Sequence, residues 1–269
     1  MSESYLARIS REVAHESRSA RYGEGVPAER TGRPRSLRAA VDEERQRGAL
    51  LVEYKRASPS AATPLPAPRS VDDFLRATAV PGVAAYSCLA TRSGFDGAPA
   101  RVAELAGRTD RPVLFKEFVL HDRQLDVAAR SGAAAVLLIA RLAAAGLLEQ
   151  PLADLASAAH ARGLEVLLEL HDSAELSQAD GVAADVYGVN TRDLDTLRLD
   201  RPRAFDTLAR AREAGLRPLL GLSGVESAAD AEAFWSRGCD GLLVGSAVAR
   251  APDPATFLRS LRRADGSRR

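Results

Sequence analysis

The chain has 269 residues, of which 46% are hydrophobic, enough to bury a sizeable core without disulfide staples. Its 37 basic residues nearly balance 36 acidic ones, leaving a formal charge of +1, which gives no reason to expect nucleic acid or an anionic membrane as a partner. The opening MSESYLARISREV lacks the apolar core of a secretion signal, and no run approaches ~20 uninterrupted apolar residues, so a cytoplasmic location is expected. Cys88 and Cys239 each sit in an apolar, strand-like setting and are expected to be buried thiols.

Residues 1–48 are charged and helical in pattern. Tyr5, Ile9 and Val13 share one helix face, as do Leu37 and Val41, with a Gly- and Pro-containing loop between them. This region reads as an N-terminal helical extension and not as a separate domain. From Ala49 a different rhythm begins. Apolar runs recur as ALLVEY (49–54), VAAYSCL (83–89), PVLFKEF (112–118), AAVLLIA (134–140), LEVLLEL (164–170), DVYGVN (185–190), RPLLGLS (217–223) and DGLLVGS (240–246). Each is short and almost continuously apolar, as parallel strands buried on both faces must be. Helical segments lie between them: VDDFLRAT, PARVAELAG, DRQLDVAARSG, PLADLASAAHARG, SAELSQAD, RAFDTLARAREAG, SAADAEAFWSRG and PATFLRSLRR. Several end in glycine, a common helix stop.

Eight strand–helix repeats, with no Gly-x-Gly-x-x-Gly after the first strand, predict an α/β fold, a single (β/α)8 TIM barrel over residues 49–265 carrying the extension 1–48. The Pro-, Ser- and Ala-rich segment 58–70 follows the first strand on the face where barrel active sites lie. It is expected to act as a lid.

Only Lys55 and Lys116 are lysines; every other basic residue is arginine. Surface sites tolerate that exchange. A site that must release a proton does not, because guanidinium stays charged. Both lysines lie at the ends of strand-like runs, and so do the other polar candidates. Strand one offers Glu53 with Lys55, two residues apart and so on one side. Strand three offers Lys116 and Phe118, strand five Glu169 with His171 beyond it, and strand six Asn190 followed by Arg192. Charges in apolar strands are costly unless paired, and crowded Lys and Glu groups tune one another for acid–base work. Strands seven and eight end in Ser223-Gly224 and Gly245-Ser246, where small residues let backbone N–H groups surround an anion; a phosphorylated small molecule is the expected ligand.

The run EYKRASPS (53–60) resembles the first-strand signature of indole-3-glycerol-phosphate synthases, and the likeness continues through PVLFKEF, AAAVLLIA, LLELHD, GVNTRDL, LSGV and LVGSAV, over roughly residues 49–250. The resemblance implies ring closure of 1-(2-carboxyphenylamino)-1-deoxyribulose 5-phosphate, with loss of carbon dioxide and water, in tryptophan biosynthesis or a related secondary pathway. It implies Lys116 as the general acid on the ketone oxygen, Glu169 as acid/base partner in dehydration, and Lys55 assisting or binding phosphate. Glu53 and Asn190 would hold the anthranilate and sugar groups. Ser58 and Arg192 would place the carboxylate, Phe118 would line the aromatic pocket, and Ser223, Gly224, Gly245 and Ser246 would cradle the phosphate. No metal or organic cofactor is implied, and a monomer or weak homo-oligomer is expected.

The chain departs from the family pattern in three places. Leu222 stands where the family's strand seven carries Glu; Ala90-Thr91-Arg92 and Phe95-Asp96-Gly97-Ala98 replace the usual residues after strand two; and Ala61 and Ala62 replace a basic residue and glycine. These leave two alternatives: a diverged phosphate-binding barrel enzyme acting on a modified anthranilate or amino-sugar phosphate, or a non-catalytic phosphate-ligand binder.

Overall fold

Each of the eight apolar runs becomes a strand in the computed structural model, which describes residues 3–30, 32–59, 64–66 and 70–263. The strands are β1 (Ala49–Tyr54), β2 (Val83–Leu89), β3 (Val113–Lys116), β4 (Ala135–Ile139), β5 (Glu165–Leu170), β6 (Val186–Asn190), β7 (Leu219–Leu222) and β8 (Gly241–Val244). They pair in parallel in chain order, and β8 returns to β1, closing a barrel. The period of two sorts each strand's residues between two apolar layers. Leu51, Leu114, Leu137, Leu167, Leu220 and Leu243 fill the barrel, whereas Leu50, Tyr86, Phe115, Val136 and Leu168 pack outward under the helices. Both faces are buried, which is why the runs read as continuous and not alternating. Cys88 and Cys239 are buried free thiols.

Before the barrel come α1 (Tyr5–Ser17) and α2 (Leu37–Glu44), started by Ser4 and Ser36, whose hydroxyls accept from the N–H groups of Ala7 and Ala39. Leu37, Ala40 and Val41 of α2 join the interior layer. The Arg38 N–H donates to Glu165 Oε2 at 2.9 Å and its guanidinium to the Asp185 carbonyl at 3.2 Å, so α2 plugs the mouth where β5 and β6 begin. α1 borders the opposite mouth, where Ser17 Oγ lies 2.9 Å from His121 Nε2, beyond the end of β3. Its buried face is Leu6, Ile9 and Val13. Tyr5 is only partly covered, so the face is centred one residue later than the expected Tyr5–Ile9–Val13 stripe.

The outer ring comprises α3 (Val71–Thr78), α4 (Pro99–Ala106), α5 (Arg123–Arg130), α6 (Ala140–Ala144), α7 (Leu152–Ala161), α8 (Leu176–Ala179), α9 (Arg201–Glu213), α10 (Ala228–Trp235), α11 (Ser246–Arg250) and α12 (Pro254–Ser260). Starts are set by Ser70, Asp200, Ser227 and Asp253 as caps and by proline in the first turn of α4, α9 and α12. SAELSQAD is less regular than its pattern predicts: Ser173–Glu175 form a 3-10 turn that runs into α8. Most of the expected lid at 58–70, with Ala61 and Ala62, and the last two residues of the 49–265 span lie outside the described residues. No helix among the described residues is long and apolar enough to cross a membrane.

Candidate active site

The strands' C-terminal ends surround a cleft of about 1030 Å³, counting its open mouth; every residue given a role by the resemblance lines it, whereas His171 lies behind it. Just past the end of β1, Lys55 Nζ lies 2.5 Å from Glu53 Oε1 of that strand. From β3 and β5, Lys116 Nζ lies 3.5 Å from Glu169 Oε2. From β6, Asn190 donates through Nδ2 to Glu169 Oε1 at 3.1 Å, and its Oδ1 accepts the Arg192 N–H at 2.9 Å. One carboxylate thus ties three strand ends together. Glu169 is 1% exposed. Burial alone would raise its pKa, but Lys116, His171 and Asn190 outweigh that and hold it down at about 2.

Glu53 is also enclosed, and its Oε2 has no hydrogen-bond partner among the described residues. Its position depends on Gly245, since a Cβ there would lie 2.6 Å from Glu53 Oε1. Gly245→Ala is therefore expected to push Glu53 off Lys55. We expect kcat/KM to fall about 100-fold, the scale of an ångström-sized misplacement, with an unchanged circular dichroism spectrum. Activity within about threefold of wild type would show that this packing does not matter.

At the neighbouring strand end, Ser223 and Gly224 both adopt left-handed backbone, φ 63° and 73°. A serine there is uncommon, and such geometry concentrates at ligand sites. A Cβ at Gly224 would lie 2.8 Å from Thr191 Oγ1, so this turn packs tightly on the end of β6. Ser246 opens α11 directly after Gly245. Arg192 is half-buried beside them, its guanidinium donating to the Leu197 carbonyl at 2.7 Å.

The remaining wall is apolar. Phe118 and Phe95 lie with ring centroids 6.4 Å apart, next to Leu89, Leu137 and Ile139. Leu222 belongs to this wall: it is 1% exposed and covers Gly188, where a Cβ would come within 2.7 Å of its Cδ1. The strand-seven position at which the resemblance calls for a carboxylate is thus filled by packed hydrocarbon. Ser58 and Pro59 enter the cleft from the loop after β1.

Some cleft groups had no clear sign in the sequence. Glu117 would point away from Lys116 if β3 continued, but the strand stops at Lys116. Its carboxyl is buried beneath the N-terminal segment, accepting from Thr91 Oγ1 at 2.5 Å, the Phe118 N–H at 2.8 Å and the Tyr22 hydroxyl at 3.2 Å. Burial pushes its pKa up to about 7. The only hint was a second charge in LFKEF. Tyr5, Thr91 and Glu226 also line the cleft.

Comparison with known proteins places this geometry. A family model described as indole-3-glycerol phosphate synthase matches residues 2–261. An indole-3-glycerol phosphate synthase of Deinococcus radiodurans is 34% identical over 261 residues, covering 95% of this chain and 94% of that one. Indole-3-glycerol phosphate synthase 2 of Streptomyces coelicolor is 38% identical over 213 residues, covering 79% and 80%. Among solved structures, a 3-hexulose-6-phosphate synthase superposes with a TM-score of 0.60 at 17% identity, covering 79% of this chain and 97% of that one. That likeness speaks for the barrel alone.

Proposed function

The chain belongs to the indole-3-glycerol phosphate synthase family, and from that premise we propose how its own residues carry out the reaction. The protein is a carboxy-lyase of tryptophan biosynthesis: it closes the ring of 1-(2-carboxyphenylamino)-1-deoxyribulose 5-phosphate and releases carbon dioxide and water. The observation that carries the assignment of roles is the Lys116–Glu169–Asn190 cluster, which shares one cleft with the Glu53–Lys55 pair.

The aromatic carbon bearing the carboxylate attacks the ketone carbon, and Lys116 protonates the ketone oxygen as it becomes a hydroxyl. Carbon dioxide then leaves, and its bonding electrons restore the aromatic ring. The hydroxyl finally departs as water, which requires a proton delivered to it and a second proton removed from the new five-membered ring. Glu169 is the acid/base partner in this step, with Lys55 assisting or binding phosphate. Glu53 and Asn190 hold the anthranilate and sugar groups. Ser58 and Arg192 orient the substrate carboxylate, and Phe118 packs on its ring. Ser223, Gly224, Gly245 and Ser246 take the phosphate at the ends of β7 and β8, the usual anion end of such barrels. With Leu222 in the wall, Glu53, Glu117, Glu169 and Glu226 are the carboxylates left along the described cleft.

The test is direct. Purified protein is mixed with the carboxyphenylamino-deoxyribulose phosphate and indole fluorescence is followed. A saturable rise is expected, and its absence even at high enzyme concentration, with the phosphate ligand still binding, would remove the lyase assignment. We further propose a cytoplasmic monomer or weak homo-oligomer that does not bind nucleic acid, consistent with the formal charge of +1. Gel filtration checks the oligomeric state, a DNA-binding assay the nucleic-acid claim, and cell fractionation the location.

A further inference from the structure

Behind Glu169, away from substrate, a line of alternating charge leads to the surface. His171 Nε2 lies 3.2 Å from Glu169 Oε1, and its Nδ1 lies 3.5 Å from Glu175 Oε2. Glu175 also accepts the His171 backbone N–H at 2.8 Å, which fixes the carboxylate against the ring. Arg141 Nη1 then lies 3.5 Å from Glu175 Oε1 and 3.1 Å from Asp172, and Arg141 Nη2 lies 3.4 Å from Asp195. His171 and Glu175 are each 2% exposed, and neither lines the cleft. Neither ring nitrogen is aligned for a strong hydrogen bond, but a carboxylate faces each of them at contact distance.

We propose that His171 is a positioning residue whose imidazolium holds Glu169 in its ionised form while Lys116 gives up its proton. The inference rests on the roles proposed above for Lys116 and Glu169. Once Lys116 is neutral, the buried Glu169 loses the cation on its cleft side. Burial then favours the protonated acid, and an acid already carrying a proton cannot accept one during dehydration. Asn190 offers a hydrogen bond but no charge. The imidazolium behind Glu169 is the cation that remains. It is itself held charged: burial disfavours the cation, but Glu169 and Glu175 together outweigh this and push its pKa up to about 9. Arg141 faces Glu175 and sets a positive charge against that carboxylate, with Asp172 and Asp195 on its outer side.

Two measurements on the full chain test this. The first is histidine-selective NMR, which follows the chain's four imidazoles against pH without needing activity. His171 is identified by the signal whose midpoint falls in Glu175→Gln, and it is expected to remain protonated through about pH 8. A midpoint at or below the ordinary 6.5 overturns the proposal. The second is kcat against pH for His171→Gln, which keeps a polar side chain of similar size without the charge. Its acidic limb is expected to move up by about one pH unit, with KM changed less than about threefold. A fall in kcat at every pH with an unmoved limb would mark a purely structural role and reject the idea. If His171→Gln does not fold, the NMR midpoint and the kcat profile of Glu175→Gln decide, the latter expected to lose activity at lower pH on its basic side. An inactive wild type would count against the lyase assignment, while the NMR midpoint would still test the charge on His171.

Discussion

Lys116→Arg is expected to abolish turnover while leaving the barrel folded and the phosphate ligand bound. The substitution retains the positive charge and its attraction to Glu169, 3.5 Å away in the parent. What it removes is the ability to release a proton, since a guanidinium does not deprotonate at any pH the protein survives. General acid catalysis is worth about 10²–10⁴ in rate, so kcat should fall by at least about 10³ with KM little changed. The fluorescence assay gives both constants, and calorimetry with a phosphorylated product analogue checks that binding persists. An Arg variant retaining a tenth of wild-type kcat would take proton donation away from Lys116 and reassign it. Lys55, just past the end of β1, would be the next group to test.

Glu169→Gln is expected to be the second most damaging change, and to destabilise the fold as well. The amide can still meet Asn190, but it leaves the charges of Lys116 and His171 without the carboxylate they share. Loss of one partner from a buried charge pair typically costs about 3–5 kcal/mol, and kcat should fall by about 10²–10⁴. The pH dependence gives a sharper signature. In the native protein the Glu169 carboxyl titrates at about 2, below its ordinary 4.5. Its stabilising contribution is therefore complete above pH 4.5 and is lost as pH falls from 4.5 towards 2. His171 runs the other way: its contribution is complete below 6.5 and is lost as pH rises from 6.5 towards 9. Urea denaturation of wild type and Glu169→Gln should thus differ most between about pH 5 and 6, with the gap closing on both sides. A gap independent of pH would mean that packing and not charge sets the penalty.

The barrel was legible because its physics is local. A strand buried on both faces must be apolar along its length, and helix caps such as Ser70 and Ser227 announce themselves by residue type. The lysines were legible for an unusual reason, since arginine has taken every other basic position. Groups whose setting depends on distant packing were not. Glu117 is buried by Tyr22, which lies 95 positions earlier, and no period in the sequence signals that contact. The chain from His171 to Arg141 needs the ends of β4, β5 and β6 to converge, so Arg141 reads in sequence as one more surface arginine. The shift of burial from Tyr5 to Leu6 depends on how α1 packs against the barrel, which is a tertiary property. Leu222 was conspicuous only against the family pattern; its packing over Gly188 accounts for how hydrocarbon fits there.

The way the first two helices seat themselves has a bearing on biosynthesis. They are made before any strand, yet the partners that anchor Arg38 lie 127 and 147 residues downstream. During translation Arg38 must wait for these two partners until more than half of the cylinder has left the ribosome. Fastening α2 across its end of the barrel is therefore completed late and through long-range contacts, the kind that slow folding and invite capture by chaperones.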